Sequence, residues 1–341
     1  MSVWKFLMRL GVGALLVYLL LHKHEVNWSM IVDHMRGIPL WVLAAALSID
    51  LLGQTLCAYR WGALSGMGGR PVAFLDALVL YFCGMFFNMC LPTSIGGDVF
   101  RVVALGRKTG SKTAAFASVF MDRNIGLSAL LLVGLVGSII AGTTVRATFY
   151  KQLFEVPIWP AFIVMSVGFI LVNIALFNDN FYVFVTTIFS KLHLSFLAEK
   201  SKPLHDAVKC YHLPLTQFIW PFTTSVIYQA SEIGLIYLLG RGLGLDMSIW
   251  VYCSMMTLQA VASLLPITFN GVGVREAIFT AIVVGQLGQN FKDEALALSF
   301  VYFFGVVIMS SLIGGVVYLI GGIPQPTAVE AAHVIPDAAG E

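Results

Sequence analysis

Long apolar stretches alternate with short polar connections along this chain. Several reach the roughly 20 residues, at 1.5 Å rise each, that a helix needs to cross a hydrocarbon core. In order they are Trp4 to Leu21, Pro39 to Ala58, Val72 to Leu91, Ala114 to Ala141, Ile158 to Phe177, Leu213 to Leu239, Ile249 to Leu265, Val272 to Leu287 and Ala295 to Ile320. The first begins with Lys5 and Arg9, as a secretory signal does, but no small-residue cleavage site precedes His22, Lys23, His24 and Glu25. It therefore reads as an anchored first helix. From Ile323 onward the residues turn small and polar, with two prolines before Ala328. The pattern predicts an integral membrane domain over 1–322 and a disordered cytoplasmic tail over 323–341.

Composition supports this reading. Of 341 residues, 58% are hydrophobic and 11% are charged, against roughly 25% charged in an ordinary soluble domain. A water-soluble fold cannot hide that much apolar surface, because even a large globule keeps an exposed area that polar groups help to solvate. A net charge of +2, with basic residues scattered rather than striped, excludes nucleic acid as a partner. Cys57, Cys83, Cys90, Cys210 and Cys253 show no CxxC spacing and read as buried thiols. The seven histidines form no metal-ligand pattern. No nucleophile elbow, nucleotide-binding glycine loop or aspartate-rich diphosphate motif occurs, and Gly66 to Gly69 lacks the lysine of a phosphate loop. No metal, cofactor or enzymatic activity is expected.

An internal repeat organises the apolar stretches. Leu91-Pro92-Thr93-Ser94-Ile95-Gly96-Gly97-Asp98-Val99-Phe100-Arg101 lies over Leu265-Pro266-Ile267-Thr268-Phe269-Asn270-Gly271-Val272-Gly273-Val274-Arg275. Both read L-P-x-[S/T]-x-x-G-x-x-x-R after an apolar run. The alternative is two unrelated Pro/Gly kinks. Proline removes a backbone bond and glycine favours non-helical turns. A break of this kind is tolerated at membrane depth only where protein covers it or a wet cavity adjoins it. Pro92, Gly96 and Gly97 thus mark one hairpin turn, and Pro266, Asn270 and Gly271 the other. Arg60 and Arg70 before the first motif, and Arg107, Lys108 and Lys112 after it, read as basic loops on the cytoplasmic side, so the segment between them enters and returns.

The expected fold is all-α, with two inverted repeats each of two helices, a re-entrant helical hairpin and one helix. Repeat one covers about 1–141 and repeat two about 158–320, with both termini cytoplasmic. On this topology eleven Lys and Arg lie inside and six outside, while Arg101, Arg123 and Arg275 lie in or near the membrane. A conventional eight- or nine-helix arrangement also tolerates several of these loops. Inverted repeats with broken helices place binding sites where the breaks meet near the midplane.

The scarce charges are the candidate site. Arg101 and Arg275 occupy equivalent places in the repeat, and guanidinium groups bind phosphate oxygens in pairs and stay charged when buried. A helix starting after each glycine turn would add N–H groups for an anion. The alternative is structural, with each arginine snorkelling or paired to Asp98, Asp122 or Glu276. Asp122 and Arg123 form either a structural ion pair or part of a cavity. Asp50 and Glu232, each inside an apolar stretch, are candidate proton-coupling acids or buried acids held by arginine, tyrosine or backbone. Gln54, Asn88, Asn173, Gln229 and Gln259 read as interhelical hydrogen-bond partners.

The run Leu91-Pro92, Gly96-Gly97-Asp98 and Arg101, then Asp122-Arg123 with Gly126-Leu127, then Asn270 to Ala277, resembles the flippase-like transmembrane family. This is the membrane region of bacterial lysylphosphatidylglycerol synthases, found also as stand-alone inner-membrane proteins. The resemblance covers roughly residues 5–320. It singles out Pro92, Gly97, Asp98, Arg101, Asp122, Arg123, Gly271, Arg275 and Glu276, with Glu common in relatives at the place of Asp122. It implies lipid translocation in the bacterial inner membrane, without the aminoacyl transfer that a separate soluble domain performs. The implied partner is a phospholipid, glycolipid or polyprenyl-phosphate lipid, together with an envelope-lipid biosynthetic enzyme. Two other functions stay open: a non-transporting lipid-binding partner of a glycosyltransferase or lipid-modifying enzyme, and a secondary transporter of a small soluble anion.

Overall fold

In the computed structural model, the described residues are 28–67, 72–90, 96–141, 159–191, 215–264 and 271–321, with short pieces at 196, 201–202 and 205–206. The predicted first helix over 4–21, the tail over 323–341, and the turn residues Pro92, Pro266 and Asn270 lie outside them.

The described chain is helical throughout its regular elements: α1 (Trp28–Gly37), α2 (Leu40–Met67), α3 (Phe74–Cys90), α4 (Gly96–Thr109), α5 (Lys112–Ala141), α6 (Trp159–Phe177), α7 (Asp179–Lys191), α8 (Leu215–Gly242), α9 (Ile249–Leu264), α10 (Val274–Leu287), α11 (Lys292–Phe300) and α12 (Met309–Gly321). A π-helical segment, Val301–Ile308, joins α11 to α12 without a break. Among these residues Leu40–Gly66, Lys112–Ala141, Trp159–Phe177 and Gln289–Gly321 are long and apolar enough to cross a membrane. Their outer faces carry exposed Leu52, Ile139, Val164, Ile170 and Leu319, a surface suited to lipid rather than water. The protein is therefore an all-α, multi-spanning membrane protein.

Local chemistry sets the helix ends. Arg107 and Lys108 occupy the last turn of α4, where the helix dipole favours cations. Gly110 then takes φ 76°, and its N–H closes the turn on the Gly106 carbonyl. Ser111 starts α5 by accepting the Ala114 N–H on its hydroxyl at 3.2 Å.

Several described helices are shorter than the long spans, and four of them form two packed pairs. α3 has 17 residues, α9 16, and α4 and α10 14 each, so the last two rise only about 21 Å. α3 packs along α4, and α9 along α10. At one end of the first pair, Lys108 of α4 reaches Asp76 of α3 in an ion pair. Towards the other, Gly97 N–H donates to the Asn88 side-chain oxygen at 2.7 Å, and the two backbones touch at Gly84 and Gly97. α3 and α4 are thus antiparallel.

Each short first arm beds into a glycine groove on a long helix distant in sequence. α9 packs on α5, with Thr257 against Gly134, and α3 packs on α12, with Phe82 against Gly314. α2 and α8 pair along the centre of the molecule. The main apolar core gathers Leu235, Ile236, Leu239, Tyr252, Phe279 and Leu298 with residues of α1 and α2.

The structure corrects two elements of the sequence reading, the first being Cys90, read as a buried thiol and found exposed. The helix that contains the second apolar stretch runs past Ala58 to Met67, so Arg60 is buried within α2 and is not part of a cytoplasmic loop. Its charge survives inside because Asp122 meets it there. The short helix α1, unmarked by any long apolar run, buries Ile31 and packs on α11.

Candidate functional site

Five charged side chains from α2, α4 and α5 form one connected network. Asp122, on α5, accepts the Arg60 Nε–H and Nη2–H on Oδ1 at 2.9 and 2.7 Å, and the Arg101 Nη2–H on Oδ2 at 2.9 Å. Arg60 also donates to the Ser225 hydroxyl of α8 at 2.5 Å. Arg101 reaches Asp98 of its own helix at 3.4 Å, one turn back. Asp98 in turn takes two bonds from Arg123, at 2.9 and 3.0 Å. The guanidinium of Arg101 lies 4.1 Å from the centre of the Trp61 ring and 4.6 Å from that of Tyr81. Aromatic faces hold a desolvated cation in place. Trp61 is fixed by donating to Ser118 at 3.2 Å.

The charge count of this network decides what it can do. Three guanidinium groups face two carboxylates, which leaves one positive charge uncompensated among the described residues. The Arg101 Nε–H has no acceptor among the described residues. Arg60, Arg101 and Asp122 are buried, but the Arg123 side chain is 53% exposed and its partner Asp98 15% exposed. The network therefore runs from a sealed end at Arg60 to an accessible end at Arg123. Asp122 and Arg123, adjacent in sequence, point to different partners, Asp122 to Arg60 and Arg101 and Arg123 to Asp98.

Arg275 sits in a separate, charge-balanced cluster. It donates to Glu276 Oε1 at 2.6 Å and to Ser299 Oγ at 3.0 Å, and its guanidinium lies 4.2 Å from the centre of the Phe303 ring. Ser299 donates to the same Glu276 oxygen at 2.9 Å. Glu276 Oε2 accepts the Gly273 N–H at 2.5 Å, which fixes the start of α10, while Gly271 and Gly273 take positive φ to make the turn. No described contact links Arg101 to Arg275.

Asp50 of α2 and Glu232 of α8 are both buried, on helices that pack against each other. Gln54 donates to Asp50 Oδ1 at 3.0 Å and stands 3.2 Å from the Tyr228 hydroxyl, while Tyr302 donates to Glu232 Oε2 at 3.4 Å.

Of the sequence candidates, Asp98, Arg101, Asp122 and Arg123 are brought into one network, Arg275 and Glu276 into a second, and Asp50 and Glu232 into a third. Gly96 and Gly97 begin α4, and Gly271 precedes α10. Three of the polar residues read as interhelical partners make such bonds: Gln54 to Tyr228, Asn88 to Gly97, and Asn173 to Asn124. Gln259 instead donates within its own helix to Ser263. Sequence reasoning missed Arg60, Ser225, Ser299 and Tyr302. The signal for Arg60 was present, a basic residue only two positions beyond a long apolar stretch. No group of three or more His, Cys, Asp or Glu that could hold a metal occurs among the described residues.

No curated relative matches the chain. Residues 6–314 match the family described as the lysylphosphatidylglycerol synthase TM region. That region is the membrane-spanning, non-catalytic transport part of those synthases, and the match takes in nearly the whole multi-helix domain, including every residue of the charged networks. The chain is a member of the lysylphosphatidylglycerol synthase transmembrane-region family.

Proposed function

We propose that the protein moves an anionic lipid, of phospholipid, glycolipid or polyprenyl-phosphate type, between the leaflets of the bacterial inner membrane. The headgroup travels through the polar interior while the tails stay in lipid. The observation that carries this reading is the uncompensated positive charge of the Arg60–Asp122–Arg101–Asp98–Arg123 network, with its accessible end at Arg123. A phosphate arriving at Arg123 displaces Asp98 and meets Arg101 next, by exchange of charge-assisted bonds rather than covalent chemistry. Arg275 serves the second half of the path when Glu276 releases it.

The architecture we attach to this reading is two inverted repeats, about 1–141 and 158–320, each with a re-entrant hairpin, α3–α4 and α9–α10. Both termini are cytoplasmic. Several features support it. α2 and α8 have 28 residues each, and α5 is as long as the rod from Lys292 to Gly321. Gly134 and Gly314 hold the same position counted from Lys112 and Lys292, and their partners Thr257 and Phe82 the same position counted from Ile249 and Phe74. Such exchanged contacts are what a two-fold relation between halves produces. The Lys108–Asp76 pair holds the open ends of the first hairpin on one side.

The test is leaflet-resolved movement of a fluorescent phosphatidylglycerol in proteoliposomes. Arg123→Gln removes an accessible charge while leaving both Asp122 pairs intact, and the loss of a charged hydrogen bond is worth about 1.5–3 kcal/mol. The expected result is a rate lower by about tenfold or more. An undiminished rate in Arg123→Gln sinks the headgroup path. A wild-type protein that moves no lipid but co-purifies with an envelope-lipid enzyme points instead to a lipid-presenting role.

A further inference from the structure

The second polar centre uses the same part of the fold with the opposite chemistry. Counted from the starts of α2 and α8, Asp50 holds the position of Ser225. Counted from Lys112 and Lys292, Tyr302 holds the position of Asp122. Asp122 and Ser225 both bond Arg60, whereas Tyr302 bonds Glu232, near Asp50 on the facing helix. One centre is built on arginines and the other on two acids.

These two carboxyls are 4% and 7% exposed and lie at the contact of α2 with α8, where Gln54, one turn beyond Asp50, bonds Tyr228, one turn before Glu232. Asp50 Oδ2 and Glu232 Oε1 have no donor among the described residues. The groups that face them are neutral: Gln54 on α2, Tyr228 on α8, Tyr302 in the π segment and Ser310 on α12. The buried cations Arg60 and Arg275 are already held, by Asp122 and Glu276. From α5, Asp122 is occupied by Arg60 and Arg101. From α3, Tyr81 stacks on Arg101. Two ionised carboxylates cannot share a hydrogen bond, because neither has a hydrogen to give. Two buried acids on facing helices, with an orphaned oxygen each and only neutral groups around them, suit a proton held between them, the arrangement of a shared-proton dyad.

A second feature connects the dyad to the other centre. Val301–Ile308 is π-helical, a geometry that is rare and concentrates at functional sites. Consecutive residues of this segment touch different centres: Tyr302 bonds Glu232, and Phe303 lies under Arg275. A change in the dyad that shifts Tyr302 also shifts the ring against which Arg275 rests.

We infer that Asp50 and Glu232 form a single proton-binding site, built at the α2–α8 contact, whose filling and emptying drives lipid movement through the Tyr302–Phe303 step. The site holds one proton between two carboxyls and carries one negative charge. A second proton, taken from water on one side, forms an O–H bond on the remaining carboxylate and neutralises the pair. It leaves as a hydrated proton on the other side. The driving half of this inference rests on the lipid-carrier reading given above.

Two measurements on the full-length protein test it. Infrared spectra of the wild type at neutral pH should show the carbonyl stretch of a protonated carboxylic acid, absent from the Asp50→Asn/Glu232→Gln double variant. No such band in the wild type, or its persistence in the double variant, overturns the proton site without recourse to any mutant's activity. In proteoliposomes with fluorescent phosphatidylglycerol, a gradient of about one pH unit, a tenfold bias in proton activity, should change the wild-type rate by up to about tenfold. Tyr302→Phe should keep the infrared band but lose the response to the gradient. Lipid movement indifferent to the gradient in the wild type overturns the coupling and leaves the carrier reading intact. No movement under any gradient overturns the carrier reading and the driving half together, while the infrared band separately decides the proton half.

Discussion

Replacing Asp122 by Asn should destabilise the protein by about 3–5 kcal/mol, the cost of breaking a buried ion pair and leaving its partner uncompensated. The expectation is at the upper end because one carboxylate serves two arginines. Asp122 Oδ1 holds Arg60 and Oδ2 holds Arg101, all three buried. The amide of Asn keeps the shape but offers one acceptor and no charge, and turns N–H groups toward guanidinium hydrogens. Two cations then sit in the interior with only Asp98 left to meet Arg101. Thermal unfolding of the purified variant in detergent measures the loss, and recovery of folded protein from membranes gives a second readout. Asp122→Glu is the informative comparison. It restores the charge at the cost of one extra methylene, a strain of about 1–3 kcal/mol in a packed interior. If Asn and Glu are equally mild, the network is not what holds α2, α4 and α5 together.

The contrast between Asp122 and Arg60 marks how far the chain could be read in advance. Asp122 was visible as a charge inside a long apolar stretch, which membrane energetics makes conspicuous. Arg60 has the same cost and the same partner, yet it follows the apolar run and precedes Gly66 to Gly69 and Arg70. A basic residue there looks like a loop residue obeying the positive-inside rule, because nothing local reveals an acid on a helix far along the sequence. Asp50 and Glu232 likewise stood out singly, but their meeting depends on how α2 packs against α8. Apolar length is a local property and gave α5, α6 and α8 to within a few residues, but not the run of α2 from Ala58 on to Met67. Charge pairing across helices is a property of the packing.

The two centres also differ in why their geometry was hidden. Pro92, Gly97 and Gly271 punctuate the sequence openly, so the short paired helices were anticipated from breaks that lipid would otherwise forbid. The π segment has no such mark: Val301 to Ile308 is apolar apart from the Tyr302 hydroxyl and Gly305, and its composition suits an α-helix equally well. Only the contacts of Tyr302 and Phe303 on different clusters give it meaning. The short helix α1 was missed for a simpler reason. Its ten residues bury Ile31 against α11 and expose most of the rest, too brief a pattern to separate from a loop.

Gly97→Ala should be the most damaging single methyl group that can be added to the α3–α4 pair. A Cβ at Gly97 would lie 2.0 Å from the Gly84 carbonyl oxygen, 2.7 Å from the Gly84 carbonyl carbon and 2.8 Å from Asn88 Cγ. Two of these are backbone atoms, so no rotamer change relieves the clash and α4 must move off α3. That movement also breaks the 2.7 Å bond from Gly97 N–H to Asn88 and shifts Asp98 and Arg101, which follow in the same turns. We expect a loss of about 3 kcal/mol or more, the top of the overpacking range, together with loss of lipid movement. The opposite face of the same contact supplies the control. A Cβ at Gly84 would meet the Arg101 side-chain carbons at 3.1 Å and the Gly97 carbonyl oxygen at 3.2 Å, tight distances that a few tenths of an ångström relieve. Gly84→Ala should therefore cost only about 1 kcal/mol, and it should disturb lipid movement chiefly through Arg101. Thermal unfolding of the two variants side by side decides the matter. Equal stabilities would mean that the two backbones are not in contact at Gly97, and that the glycine pair does not hold α3 against α4.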